Sequence, residues 1–402
     1  MIIILLIIVL VAIVWLPIPV GLGCFFGMIG SNKRPVLYYL LFCVGVSLLT
    51  LWIVPAYDSD LSRYYDTMRL MQPLSDWSAF IDFSKNNRIL QYQDANKVFN
   101  VIEFFVAKTG QFSWLPFIST LVCNLLVLFP VVDLRKQKKL NSWLAGGLSI
   151  ELLLLFNLNL TANTMRWAMA VALFGCMSYV YFVKMTNFKF IWLLITPIFF
   201  HLGIILAVIL ALFVAIFREK KRLSYPVLIL GFIGFWLFAD RFVGPGSAGM
   251  FAQITNMATI YSTDFMVRNS NGLIVLFLSR FSGLLLVIAA VVVGSESKSE
   301  KCDNFGRLCR LQFVFWLLLF NNSMIFNRYV LVSAMLSLFY IGKNMNCIKK
   351  SMRSTSLLLI GISGLMLLVI TYAGFRRMTF AVPLLELVTK NLISLFRNMP
   401  IF

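Results

Sequence analysis

Residues 114–139 read WLPFISTLVCNLLVLFPVVDLRKQKK, and this stretch decides the fold class. Its first nineteen residues carry no charged side chain, and an apolar helix of about that length crosses the hydrocarbon core of a bilayer. The basic cluster Arg135–Lys139 follows at once, and basic residues beside an apolar run mark the cytoplasmic side. The stretch therefore predicts a transmembrane helix that ends at the cytoplasmic face.

The rest of the chain repeats this pattern of apolar runs and basic boundaries. Of its 402 residues, 60% are hydrophobic and 13% are charged, whereas soluble domains carry about 25% charged residues. The apolar runs are continuous rather than alternating, which favours helices over an outer-membrane barrel. We therefore predict an all-α, polytopic integral membrane protein with a single transmembrane domain over residues 1–402. It should hold about 10–12 transmembrane helices, some short or broken.

Charge and cysteine content limit which partners, metals and cofactors the protein is expected to bind. The net charge is +19, but most basic residues lie in short segments beside apolar runs, where they set orientation, so nucleic acid is not an expected partner. With one histidine and no cysteine pair at zinc-ligand spacing, we expect no metal and no cofactor. The apolar start, residues 1–30, lacks a basic n-region and is interpreted as a retained first span.

Two polar stretches are predicted to lie outside the membrane, on the periplasmic side. Residues 55–97 follow the second span, residues 36–54, and hold six of the sixteen acidic residues. Residues 240–271 form a second external loop. Long loops in compact proteins are usually functional or disordered, and the aromatic residues of the first loop argue against disorder.

Several spans look uneven. Basic residues flank both ends of residues 190–217, a run too short for two full crossings, and Pro197 interrupts it before His201. Two short or broken helices fit this run best, because irregular backbone at membrane depth is tolerated where it lines a cavity or is buried in protein. Similar polar breaks are predicted at residues 157–166 and 321–328.

Ionisable side chains within or beside the spans are functional candidates, because burying them is costly. They are Glu151, Arg166, His201, Arg280 and Arg328. Arginine offers a planar fork that suits phosphate oxygens, and its repetition on the predicted external side suggests a diphosphate site. Other interpretations stay open: Glu151 and Arg280 could form a structural ion pair, His201 could be a hydrogen-bonded interior residue, and Arg166 and Arg328 could reach lipid headgroups.

The first external loop begins with YDSDLSRYYD, residues 57–66. Its carboxylates, arginine and adjacent tyrosines could form a sugar site, since carboxylates accept hydrogen bonds from hydroxyl groups. The same letters also fit a helix start with an acidic cap, and both interpretations can hold together.

Taken in order, four elements resemble the EpsG-like, Wzy-type polymerases of bacterial surface polysaccharides, either O-antigen or capsule. They are the D-x-D-x-x-R-Y-Y element from Asp58 to Tyr65, the Asn163–Ala170 stretch opening a middle span, Phe199-Phe200-His201, and Asn327-Arg328-Tyr329. The resemblance covers most of the chain. It implies a glycosyltransferase of the inner membrane that joins undecaprenyl-diphosphate-linked oligosaccharide repeat units at the periplasmic face. It also implies contact with membrane lipids and a separate co-polymerase that controls chain length.

The chemistry that this resemblance implies assigns hypothetical roles to the candidates. An acceptor hydroxyl needs a general base, for which we favour Asp58 or Asp60, with His201 as runner-up. Diphosphate contacts are expected from Arg63, Arg166, Arg280 and Arg328, sugar contacts from Tyr64 and Tyr65, and Glu151 is an intramembrane charge. Two other functions compete: an O-antigen ligase that moves finished glycan from the same donor to lipid A core, and a flippase or transporter of lipid-linked oligosaccharides. A flippase should show paired repeats and a charged cavity reaching both faces, neither of which the sequence suggests.

Overall fold

The computed structural model describes residues 15–31, 34–57, 59–86, 97–185, 187–218, 270–296, 303–318, 323–397 and 399–400. Asp58 and most of the predicted second external loop, residues 240–271, lie outside these ranges. The described chain is helical apart from one pair of two-residue strands, so the all-α prediction is confirmed.

The helices follow one another along the whole described chain. The first eight are α1 (Pro17–Gly30), α2 (Pro35–Leu48), α3 (Asp60–Met71), α4 (Trp77–Asn86), α5 (Lys97–Lys108), α6 (Trp114–Lys136), α7 (Ser142–Leu155) and α8 (Leu158–Asn163). The other eight are α9 (Met165–Tyr179), α10 (Ile205–Ile216), α11 (Ser270–Glu296), α12 (Asn304–Leu318), α13 (Ser323–Asn344), α14 (Lys350–Phe375), α15 (Leu384–Thr389) and α16 (Leu392–Arg397).

Five described segments are long and apolar enough to cross a membrane, which makes the chain a multi-pass membrane protein. They are Pro35–Trp52, Trp114–Lys136, Met165–Met185, Ile274–Ser295 and Lys350–Phe375. Shorter apolar helices accompany them at Pro17–Gly30, Ser142–Leu155, Phe188–Phe199 and Leu202–Ile216. The segment that decides the fold class, residues 114–136, is therefore one continuous helix, as predicted.

The chain divides into two compact units. Unit 1 comprises residues 1–176 and 367–402, and unit 2 comprises residues 177–366. Each unit is described by itself below.

Within unit 1, α1 and α2 cross at two glycines. A Cβ atom built at Gly21 would collide with the Cα atom of Gly45, and the reverse holds for Gly45. Small residues at a crossing let two membrane helices approach closely and pack by van der Waals contact. This crossing therefore has no room for a larger side chain.

We expect Gly21→Val to destabilise unit 1, because the added methyl groups meet backbone that cannot move aside. Overpacking of this kind costs about 1–3 kcal/mol, and the melting temperature of the purified protein in detergent measures it. Gly23→Val is the matched control, since Gly23 lies on the same helix and its added Cβ meets open space. Equal melting temperatures for the two variants would contradict the expectation.

A short antiparallel strand pair joins distant parts of unit 1. In strands β1 (Ile53–Val54) and β2 (Thr379–Phe380), Ile53 pairs with Phe380 and Val54 with Thr379. Just beyond the strands, the Ala381 amide donates to the Trp52 carbonyl at 2.9 Å. The segment after α14 is thereby fixed to the end of α2.

The predicted breaks are largely confirmed. In unit 1, α7 ends at Leu155 and the Asn157 side chain caps α8 by accepting from the Leu160 amide at 3.0 Å. In unit 2, three short 3₁₀ segments precede α10, at Phe188–Leu194, Thr196–Phe199 and Leu202–Ile204. The residues after Pro197 therefore do not form a regular α-helix until Ile205.

The third predicted break, residues 321–328, is helical over its described part. Helix α13 already begins at Ser323, so Asn327 and Arg328 lie inside a helix rather than in a polar interruption. The reason is local: no proline or glycine lies between Ser323 and Ile341, so nothing in the backbone interrupts the helix.

Candidate functional site

The acidic element of unit 1 starts a helix with its charges exposed. Ser59 is the N-cap of α3, since its hydroxyl accepts from the Ser62 amide at 3.2 Å, so Asp60 is not used for capping. Asp60 instead lies 3.5 Å from Arg63, with side-chain exposures of 42% and 71%. This element therefore does start a helix, and the Asp60 carboxylate remains accessible to solvent.

Arg166 is the second residue of α9 and contacts α3. Its Nε donates to the Tyr64 hydroxyl at 3.1 Å, and its guanidinium lies 5.1 Å from the Tyr64 ring centroid and 6.0 Å from that of Phe99. A cation over aromatic faces is attracted by the ring quadrupole. The rings therefore hold this guanidinium in place.

The two tyrosines predicted to contact sugar are buried. Tyr64 packs on Phe99 with centroids 5.3 Å apart, and Tyr65 packs edge-on against Phe112 at 5.7 Å. Burial raises the pKa of Tyr64 to about 12, so its phenol stays neutral and accepts the bond from Arg166. The exposed tyrosine of this element is Tyr57, which is 95% exposed, so a stacking role fits Tyr57 better than its two neighbours.

Glu103 on α5 completes this cluster and was missed by the sequence analysis. It is fully buried, and neither of its carboxyl oxygens has a hydrogen-bond partner among the residues that the structure describes. Leaving an ionised carboxylate in such a place costs several kcal/mol. Burial accordingly raises the pKa of Glu103 to about 8, although the charge of Arg166 acts in the opposite direction. Glu103 is therefore mainly protonated at neutral pH.

A sequence signal for Glu103 did exist. It is the only acidic residue in KVFNVIEFFVAK, residues 97–108, and lies four positions after Phe99, on the same helical face. Phe99 is also fully buried, so the face that carries Glu103 is the one that packs inward.

Unit 2 holds a second arginine cluster. The Nε of Arg280 on α11 donates to the Oδ1 of Asn327 on α13 at 2.7 Å. The guanidinium lies 5.0 Å from the Phe326 ring centroid. This contact joins the candidate Arg280 to the Asn327-Arg328-Tyr329 element.

This second cluster contains unsatisfied hydrogen-bond donors. The Nη2 of Arg280 and the Nδ2 of Asn327 are both buried without a hydrogen-bond partner in the described part of the chain. The salt bridges found among the described residues include none to Arg280. An unsatisfied buried donor costs about 1–3 kcal/mol, and more when charged. Two such donors on contacting side chains fit a ligand that supplies acceptor oxygens.

In unit 2, the break after Pro197 and helix α13 both contact Gly203. The Nδ1 of His201 accepts from the Gly203 amide at 2.9 Å, and the Tyr329 hydroxyl donates to the Gly203 carbonyl at 2.7 Å. Because an amide can only donate, Nδ1 is the acceptor and a neutral His201 carries its proton on Nε2. In this tautomer His201 is a hydrogen-bond donor, which makes it less suited to act as a base than Asp60.

The remaining predicted residues occupy less distinctive positions. Arg328 is half-buried and follows Asn327 directly, and consecutive helical residues do not share a face, so it points away from the Arg280 contact. Glu151 is buried within α7. No cluster of three histidine, cysteine, aspartate or glutamate side chains suited to a metal ion occurs among the described residues.

A mostly apolar cavity of about 270 Å³ also lies in unit 1, between the ends of α2, α7 and α14. Its polar lining consists of Asn124, Asn157, Asn159 and Thr371. None of the candidate residues named above lines it, so the cavity is separate from the Arg166 cluster.

Comparison with known proteins gives one match. A family model described as the EpsG family matches residues 36–384. This range includes both arginine clusters. No curated protein and no solved structure matches the chain.

Proposed function

Because the chain belongs to the EpsG family, a Wzy-like family of polysaccharide polymerases, we propose that it joins undecaprenyl-diphosphate-linked oligosaccharide repeat units into O-antigen or capsular polysaccharide. Family membership supports a polymerase-like role in general, and the spans make it a membrane protein. The donor, the acceptor, the bacterial inner membrane and the periplasmic face of the reaction are parts of the proposal.

The observation that carries the proposal is the pair of unpaired donors on Arg280 and Asn327. A diphosphate supplies several acceptor oxygens and negative charge, and arginine binds such groups through two parallel N–H donors. The Phe326 ring beside the guanidinium reduces its access to water, which strengthens the attraction for an anion. The same features would serve a lipid-linked diphosphate better than a neutral sugar.

The Arg166 cluster supplies the other parts that the reaction needs. An acceptor sugar hydroxyl attacks the anomeric carbon of the growing chain, a new glycosidic bond forms, and the bond to the lipid diphosphate breaks. The hydroxyl proton passes to Asp60, and the diphosphate leaves with the bonding electrons. Asp60 and Arg166 interact electrostatically, so a base and a cation that stabilises developing charge lie in one cluster. Asp58 lies outside the described residues and remains the alternative base.

Two lipid-linked substrates take part, the growing chain and the incoming unit, and each carries a diphosphate. This explains why one chain would hold an arginine cluster in each of its units. We assign the leaving diphosphate of the growing chain to the Arg166 cluster, beside the base Asp60, and the diphosphate of the incoming unit to the Arg280 cluster. Arg63 is exposed, so it would contact phosphate only at the solvent-exposed surface of the Arg166 cluster.

A product ladder tests the function. We expect the purified protein, reconstituted in lipid with undecaprenyl-diphosphate-linked repeat units from its own bacterium, to produce molecules lengthened by successive whole units. No nucleotide sugar should be required. Boiled protein is the control for carry-over of preformed polymer.

The competing functions give different results in the same assay. A ligase would transfer glycan once, and only when lipid A core is added. A flippase would move the lipid-linked unit across a liposome without forming a bond. Either result, with no ladder from the native substrate, would refute the proposal that the protein is a polymerase.

A further inference from the structure

The cavity of about 270 Å³ in unit 1 has no part in the proposed reaction. It is lined mainly by apolar side chains from the ends of α2, α7 and α14. None of the residues assigned to the two diphosphates lines it. A ligand of this cavity would therefore be distinct from the ligands of the two arginine clusters.

An apolar groove continues the cavity between α1 and α7. The groove has a volume of about 280 Å³, and every side chain that lines it is apolar. It shares Leu22, Phe42 and Leu153 with the cavity, so the two volumes are continuous. At the edge of the groove, Phe26 is 73% exposed and Ile150 is 49% exposed. In a membrane protein such an apolar surface faces lipid tails, so the groove is open to the hydrocarbon of the bilayer.

One polar group in the wall of the cavity lacks a partner. Asn124 of α6 lines the cavity and is 2% exposed, and its Nδ2 has no hydrogen-bond partner among the residues that the structure describes. The other polar side chains of the wall form hydrogen bonds within the chain, Asn157 with Leu160, Asn159 with Asn163, and Thr371 with Leu154. Because an unsatisfied buried donor is costly, Asn124 fits a ligand that presents an acceptor oxygen among apolar atoms.

Two exposed arginines lie beside the cavity at the end of α14. Phe375 and Met378 line the cavity, and the two residues between them are Arg376 and Arg377, both exposed. The salt bridges of the described residues include none to either arginine. Both follow directly after the span-length helix Lys350–Phe375, where basic side chains reach the level of lipid headgroups. They therefore offer positive charge to a phosphate at that level.

Contacts within unit 1 fix this end of α14 beside the polar part of the cavity. The Thr371 hydroxyl donates to the Leu154 carbonyl at 3.2 Å, and a Cβ atom built at Gly374 would lie 3.4 Å from the Asn159 side chain. Arg376 follows Thr371 by five positions, about 8 Å along the helix axis. The phosphate and the ester carbonyls of a glycerophospholipid are separated by a few bonds, so one molecule can reach both the arginines and the cavity.

We propose that the cavity and its groove bind one anionic glycerophospholipid. Its phosphate contacts Arg376 and Arg377, an ester carbonyl accepts a hydrogen bond from Asn124, and one acyl chain lies in the groove between α1 and α7. The ester distinguishes this lipid from an undecaprenyl carrier, whose isoprenoid chain has no acceptor atom below the phosphate. The site does not depend on the proposed function, because it requires only that the chain spans a bilayer.

Native mass spectrometry of the full-length protein in detergent, titrated with phosphatidylglycerol, tests the headgroup contact. We expect one phosphatidylglycerol to bind more tightly than phosphatidylcholine, whose headgroup carries no net charge. In the double variant Arg376→Gln, Arg377→Gln the affinity should fall about 30-fold, the combined effect of two basic residues on an anionic lipid. The double variant Arg69→Gln, Arg310→Gln is the matched control, since it removes the same charge from exposed positions of α3 and α12 and should keep the wild-type affinity.

A diether phosphatidylglycerol, which lacks the ester carbonyls, tests the inner contact without altering the protein. It should bind the wild type about fivefold more weakly than the ester lipid, the effect of losing one hydrogen bond. In Asn124→Ala, which lacks the donor, the two lipids should bind equally. Equal binding of the two lipids to the wild type would overturn the contact between the ester and Asn124.

Undecaprenyl phosphate tests the alternative occupant. At a concentration equal to that of phosphatidylglycerol, it should leave the bound phospholipid in place. If it displaces the phospholipid from the wild type, the site belongs to the undecaprenyl carrier and the proposal is overturned. The proposal is also overturned if phosphatidylcholine binds as tightly as phosphatidylglycerol, or if the wild type retains no lipid.

Discussion

Replacing Arg280 with alanine should abolish the product ladder in the reconstituted assay. The guanidinium donates to Asn327 and retains a buried, unpaired Nη2, which we assign to a diphosphate oxygen. Losing one charge-assisted hydrogen bond costs about 1.5–3 kcal/mol, and because the positive charge is lost as well, the incoming unit should bind too weakly for chain lengthening. Arg280→Lys should recover only part of the activity, because an ammonium keeps the charge but lacks the planar fork.

Asn327→Asp distinguishes binding from a merely structural contact. The new carboxylate would pair with Arg280 at the same position, holding α11 to α13 while neutralising the charge that the diphosphate needs. We therefore expect a folded protein, with a melting temperature at least that of the wild type, that makes no ladder. Full activity in Asn327→Asp would show that the contact serves only packing. Arg310→Ala, which removes an exposed arginine of α12, is the matched control and should keep the ladder.

Replacing Arg166 with alanine should have a similarly large effect. Arg166 lies among Tyr64, Phe99 and Glu103 in unit 1, and we assign it to the leaving diphosphate. We expect the rate of chain lengthening to fall by about 100- to 1,000-fold, with a smaller fall for Arg166→Lys.

The control for Arg166 is Arg69→Ala. Arg69 also belongs to this region, but it is exposed on α3 and pairs with Asp66 at 2.7 Å. An exposed pair of this kind contributes about 0–1 kcal/mol, so its loss should leave the ladder intact. The fraction of folded protein, measured by size-exclusion chromatography in detergent, must stay comparable in both variants. A wild-type ladder from folded Arg166→Ala would refute its role in the reaction.

The sequence predicted the spans because their signal is local. In residues 114–139 both the apolar run and its basic boundary lie within one stretch, and the helix ends where the charges begin. The break around Pro197 was predictable for the same reason, since proline removes a backbone donor and clashes with the preceding turn.

The partners of the candidate residues were not predictable, because they depend on contacts between distant parts of the chain. Arg166 meets Tyr64 across 102 positions, and Arg280 meets Asn327 across 47. One sequence shows that an arginine is costly in its span but not which side chain faces it. Glu103 was overlooked because a single carboxylate in a helix usually faces water.

The strand pair between residues 53–54 and 379–380 has a consequence for biosynthesis. A ribosome delivers β1 to the membrane long before β2, and all of unit 2 is synthesised in between. Unit 1 therefore cannot close while the chain is still being translated, and its early helices must wait in the bilayer with part of their contact surface uncovered. Closure of such a distant pair makes late assembly slow, so the waiting intermediate is the stage at which an insertion chaperone or a quality-control protease would meet this protein.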